Sequence, residues 1–127
     1  MNSWLVKEQK VREILSKRFN KVLKEMALPL GRKPNGETKM HKFDLVSSDR
    51  KLVGEVKASK FSNKTTGKSG YSSTRRARLL EACFYLANVK SAKKYLVLTN
   101  EDLYREFNEE MGLLLRRFKI EILHVSV

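Results

Sequence analysis

From Trp4 to Met26 the apolar residues Trp4, Val11, Ile14, Leu15, Val22, Leu23 and Met26 recur at intervals of three and four, which traces one face of a helix. Ser3 is a suitable N-cap, and Pro29 cannot continue a helix, so the pattern predicts one long first helix between them. Gly31, Pro34, Asn35 and Gly36 then mark 31–38 as a loop. His41 to Ser47 and Leu52 to Ser59 predict two strands joined through Ser48, Asp49, Arg50 and Lys51. From Lys60 to Ser73 the chain turns to Lys, Ser, Thr and Gly, a loop of a length usually kept for function. A second helix is predicted from Thr74 to Asn88, with Leu80, Cys83, Phe84 and Ala87 inward, and a strand from Tyr95 to Leu98. Thr99 is the expected cap of a third helix. Glu101 and Asp102 at its start and Arg116 and Arg117 at its end suit the helix dipole. Its expected buried stripe is Leu103, Phe107, Met111, Leu114 and Phe118, and Ile120 to Val127 closes the chain as a last strand. Helices alternating with strands that are apolar on more than one face imply an α/β fold, a central mixed β-sheet flanked by helices on both sides.

The length of 127 residues suits a single domain, 1–127, with one core and one site. An apolar share of 41% is enough to build that core. Charge changes the picture more. Lys and Arg number 27 against 14 acids, and a net charge of +13 attracts a polyanion, nucleic acid first of all. An anionic membrane surface fits less well, because the basic residues are not gathered in one amphipathic segment. The first ten residues include Lys7, Glu8 and Lys10 and lack a signal peptide's apolar run; no stretch reaches membrane-span length. A cytoplasmic location is the resulting expectation. Cys83 stands alone, which excludes a disulfide framework or a Cys-rich zinc site and leaves it as a small buried hydrophobe. His41 and His124 have no metal-ligand spacing and are read as ordinary strand positions.

The two central strands carry the chemistry. Glu55 and Lys57 are two apart in a strand and leave the same face, which Val53 shares. A turn centred on Asp49 and Arg50 pairs Asp44 with Glu55, their β-carbons about 4.5–5.5 Å apart. Two carboxylates at that range repel. Val46 and Val53, paired beside them, keep the place partly dry, so a divalent cation is what would make the arrangement favourable.

The stretch KFDLVSSDRKLVGEVKASK, with Asp44, Glu55 and Lys57, resembles the core of the PD-(D/E)xK, or restriction endonuclease-like, superfamily of nucleases. Phe43 stands where that family's name has proline. The resemblance implies a restriction endonuclease-like fold with Asp44, Glu55 and Lys57 as catalytic residues. It further implies that Mg²⁺ or Mn²⁺ is held by Asp44, Glu55 and the backbone carbonyl of Val56, and that Lys57 orients water or offsets phosphate charge. Only two strands are clear before the second helix, so a further edge strand is expected near Gly31 to Met40, or is missing. Some members place another acid on the first helix. Glu8 is the candidate here, since it falls on the stripe of Trp4, Val11 and Leu15; the competing reading is that it merely suits the helix dipole. Glu13 and Glu25 are read as solvated neighbours of Lys and Arg.

Lys60, Lys64, Lys68, Arg75, Arg76 and Arg78 follow without a single acid and are the expected phosphate contacts, with Tyr71 as a base-stacking residue. The implied function is a metal-dependent endonuclease that hydrolyses phosphodiester bonds of DNA, structure-directed or weakly sequence-specific because no separate reading module is visible. DNA is favoured over RNA by the resemblance alone, and a homodimer would supply the two sites that duplex cleavage needs. The alternatives are a non-catalytic nucleic-acid-binding module with the same fold and an RNA- or ribosome-associated basic protein.

Overall fold

The computed structural model describes residues 3–58 and 73–127. Eight elements follow in order: α1 (Ser3–Phe19), β1 (Leu23–Arg32), β2 (Thr38–Ser47), β3 (Leu52–Lys57), α2 (Ser73–Asn88), β4 (Lys93–Leu98), α3 (Glu101–Arg116) and β5 (Ile120–His124). The fold is α/β, with one five-stranded mixed sheet in the order β1-β2-β3-β4-β5. The β1–β2 and β2–β3 pairs are antiparallel; β3–β4 and β4–β5 are parallel.

The long first helix of the sequence reading is two elements. α1 stops at Phe19 because Asn20 adopts a left-handed φ of 52°, and the amides of Asn20 and Lys21 turn back to the carbonyls of Lys17 and Ser16. This is a Schellman-type end, with Asn in the place that Gly more often takes. Val22 is then exposed, and Leu23, Met26 and Leu28 belong to β1. The edge strand expected near Gly31 to Met40 is therefore Leu23–Arg32, which overlaps that region only at Gly31 and Arg32. Pro29 lies inside it, which is tolerated because β1 forms the sheet edge and can do without one N–H.

The sheet separates two apolar layers. On one face Val11 and Leu15 of α1 meet Leu45, Leu52, Val56, Tyr95 and Val97, with Phe19 stacked on Tyr95. On the other, α2 and α3 cover Phe43, Val46, Val53, Leu96 and Leu98. The two parallel connections β3–α2–β4 and β4–α3–β5 step in one direction along the sheet, and both of their helices lie on this face.

Both later helices differ from expectation in rotation. α2 buries Leu79, Ala82, Cys83 and Leu86, while Phe84 is 73% exposed. Two stripes with identical i, i+3, i+4, i+7 spacing compete in that segment, and the one without the phenylalanine faces the core. α3 buries Leu103, Phe107, Gly112 and Leu115, with Met111 partly covered and Leu114 and Phe118 largely outside. Its N-cap is Asn100, whose side chain accepts the N–H of Leu103; the N–H of Thr99 instead reaches the carbonyl of Lys57. Cys83 is buried, and burial pushes its thiol up to about 12. Among the described residues no helix is long and apolar enough to cross a membrane.

Candidate metal centre

β2 and β3 meet in the register that the turn predicts, with Leu45 opposite Gly54 and Val46 opposite Val53. Ser47 holds the turn from within: its buried hydroxyl donates to Asp49 and accepts the N–H of Leu52 at 3.0 Å. The ladder ends at Leu45. Asp44, next in line for Glu55, instead turns Oδ2 onto the N–H of Val56 at 2.8 Å. The expected facing pair is thus not a regular ladder pair, although the two carboxylates remain close.

The reason is a β-bulge. On β1 the pairing steps from Lys24 to Met26, while on β2 it steps from Val46 to Phe43. Asp44 and Leu45 together stand opposite the single residue Glu25. A bulge of this kind redirects a side chain and raises local twist. It also explains why Phe43 and Val46, three apart, pack in the same apolar layer while Leu45 packs in the other.

α1 brings a third carboxylate. Glu8 shares the inward stripe with Val11 and Leu15 and is only 2% exposed. One carboxylate oxygen each from Glu8, Glu25 and Asp44 falls within 4.8 Å of the others. Arg12, one turn after Glu8, sits 3.6 Å from its Oε1 and donates to the backbone carbonyl of Asp44 at 3.1 Å. Glu8 Oε2 is buried and has no hydrogen-bond partner. Burial, followed by the charge of Asp44, raises the Glu8 carboxyl to about 7. Glu25 is more open. It pairs with Lys42 at 3.0 Å, and that contact is the main reason its pKa is lowered.

Glu55 adjoins this cluster from β3. Its side chain is 6% exposed, and burial together with the charge of Asp44 raises its carboxyl to about 8, against an opposing pull from Lys57. Oε1 lies 2.8 Å from Nε2 of His41. The His41 pKa is lowered, first by burial. Lys57 is half-buried at the end of β3. The group thus gathers where β3 finishes and α2 has yet to begin, the end of a parallel strand at which open α/β sheets bind ligands.

The sequence reading named Glu8, Asp44, Glu55 and Lys57, and all four lie in this region. It missed Glu25, because a residue taken as helical has no strand partner, and it missed His41, whose partners are distant in sequence. Of the basic positions, Arg75, Arg76 and Arg78 occupy the start of α2, and Arg76 pairs with Glu110 of α3 at 2.6 Å. Lys60, Lys64, Lys68 and Tyr71 lie outside the described residues, as do the side chains of Ser3 and Trp4.

An all-oxygen donor set at this spacing, with one buried carboxylate oxygen unpartnered, fits a hard divalent cation such as Mg²⁺ or Mn²⁺. The donors include neither sulfur nor several imidazoles, which zinc would favour. Comparison with family models, with curated proteins and with solved structures returned no match to the chain.

Proposed function

We propose that the protein is a metal-dependent nuclease that hydrolyses phosphodiester bonds of DNA, structure-directed or weakly sequence-specific, with a restriction endonuclease-like fold. The observation that carries this reading is the meeting of Glu8, Glu25 and Asp44 within 4.8 Å, in a chain whose net charge is +13. A protein that needed only to attract phosphate would have no use for three converging acids, one of them buried, on that surface. Acids bound to a cation, by contrast, become part of a phosphate site.

Asp44 is the shared member, with Glu8 on one side and Glu55 on the other, and the backbone carbonyl of Val56 is a further ligand in this reading. A bound Mg²⁺ or Mn²⁺ would polarise a phosphoryl oxygen and acidify a water. The chain's own residues do the rest. Val56 fixes the Asp44 carboxylate through its N–H, Arg12 steadies Glu8, and Lys57 supplies a permanent positive charge beside the phosphate. Arg75 and Arg78, at the start of α2, draw the backbone of the nucleic acid toward the carboxylates.

Cutting both strands of a duplex calls for two such sites. We assign pairing with a second copy to the apolar face of α2 and α3, where Phe84 and Phe118 project beside a groove lined by Leu80, Ala87 and Leu115. Projections and a groove on one surface are what a two-fold interface requires.

The deciding experiment incubates the protein with plasmid, branched and single-stranded DNA and Mg²⁺ or Mn²⁺, beside Glu55→Ala and Lys57→Ala proteins. Abolished cleavage in both variants is the expected result. Full cleavage by Glu55→Ala contradicts the reading, and no product from any substrate would leave a binding module instead.

A further inference from the structure

His41 lies on β2 three residues before Asp44, and its ring is gripped from two directions. Tyr85 of α2 stacks on it almost parallel, with centroids 3.8 Å apart and an interplanar angle of 11°. Phe43 meets it edge-on at 4.7 Å and 80°. A ring held on its face and at its side has one orientation, and here that orientation delivers Nε2 to within 2.8 Å of Glu55 Oε1. An ordinary exposed ion pair would need neither aromatic neighbour.

Glu55 needs such a tether. It is buried next to two other acids, Asp44 and Glu8, whose charges push its carboxylate away from them. When both are ionised, repulsion from Asp44 favours a rotamer that carries Glu55 away from the Glu8–Glu25–Asp44 cluster it adjoins. Engagement of Oε1 by His41 opposes that rotation and leaves Oε2 for a cation. With Glu55 ionised, Nε2 is the donor in this contact, since a carboxylate only accepts.

We propose that His41, clamped by Tyr85 and Phe43, is a positioning residue that holds Glu55 for divalent-cation binding; this rests on the cation reading given above. Tyr85 makes α2 part of the same device. The helix that starts with the basic residues thereby reaches a carboxylate of the site through two stacked rings.

Groups that orient a metal ligand from behind typically change affinity by about 10–100-fold when removed. The test is Mn²⁺ binding, measured by titration calorimetry and by the electron paramagnetic resonance of the ion. The proteins compared are wild type, Asp44→Ala, His41→Ala, His41→Gln, Tyr85→Phe and Tyr85→Ala, each checked by its melting curve. Asp44→Ala should abolish binding. His41→Ala should weaken it about 10–100-fold, and His41→Gln, whose amide can still donate, should recover part of the loss. Tyr85→Phe keeps the stack and should match wild type, whereas Tyr85→Ala should fall between. Mn²⁺ binding at wild-type strength by a folded His41→Ala protein, together with loss in Asp44→Ala, overturns the positioning role and spares the metal site. Undiminished binding by Asp44→Ala removes the site and the positioning role with it. If His41→Ala fails to fold, Tyr85→Ala decides the matter: unchanged affinity in that protein overturns the clamp.

Discussion

The N–H of Val56 donates to Oδ2 of Asp44 at 2.8 Å, so a side chain occupies the place where a strand carbonyl would otherwise accept. Asp44 therefore supports the sheet and the carboxylate cluster together. The two roles separate by substitution. Asp44→Asn keeps an oxygen for the Val56 N–H and should melt near wild type, yet lose Mn²⁺ binding and cleavage. Asp44→Ala should lose both and also cost about 1–3 kcal/mol, because the Val56 N–H is left without its partner. Equal stability of the two variants in urea denaturation would refute this division.

Glu8 and Glu55 make stability depend on pH in a stated direction. Their carboxyls are raised from 4.5 to about 7 and about 8. Between the unfolded value and these folded values the native state holds more protons than the unfolded chain, so stability falls as pH rises. With respect to these two groups the metal-free protein should hold its full stability below about pH 4.5 and lose that contribution progressively up to about pH 8. Mn²⁺ must displace those protons, so its apparent affinity should climb over the same range and binding near pH 7 should release protons. Calorimetry in buffers of different ionisation enthalpy reads that release directly.

Gly54 faces Leu45 across the two-rung ladder. A β-carbon there would stand 3.0 Å from Leu45 Cδ1 and 3.1 Å from the carbonyl oxygen of Tyr95. The side chain can yield, but the backbone of β4 has little room to do so. Gly54→Ala should destabilise the fold by about 1–3 kcal/mol, as overpacking in a closed core does. A denaturation midpoint equal to wild type would show that the strands separate freely.

The basic start of α2 predicts uniform rather than selective effects on DNA binding. Neutralising Arg75 and Arg78 should weaken binding to all sequences alike and reduce the slope of log affinity against log salt by roughly 1 for each phosphate no longer neutralised. Filter binding at several salt concentrations, on two unrelated sequences, measures both quantities. Weakening confined to one sequence would point to base reading instead.

Phe84, 73% exposed on α2, tests the pairing face. Phe84→Asp should shift sedimentation to the mass of one chain while leaving Mn²⁺ binding in place. A wild-type protein that is already a monomer at micromolar concentration would remove this assignment.

Much of the β2–β3 hairpin was legible in the sequence, because a short turn leaves little choice of register and Val46 and Val53 pair as expected. The inward position of Glu8 was legible too, through the stripe that it shares with Val11 and Leu15, although that stripe left its part in the site open. β1 was not. Its apolar residues suit a period of 3.6 as well as an irregular strand, and the end of α1 is marked by Asn20 rather than by glycine. Glu25 was missed with it. The stacking of Tyr85 on His41 joins residues far apart in the chain, and local spacing carries no record of it. The rotations of α2 and α3 were misread because two apolar stripes run side by side on each helix, and only packing chooses between them.

Across the bulge, β2 is one residue longer than the partner it lies against. Were all of its residues paired in strict alternation, Phe43 and Val46, three apart, would fall on opposite sides of the sheet. The oily layer under α2 and the knot of acids at Asp44 would come apart in the same event. A single mismatch in strand length thus keeps interior and chemistry in phase.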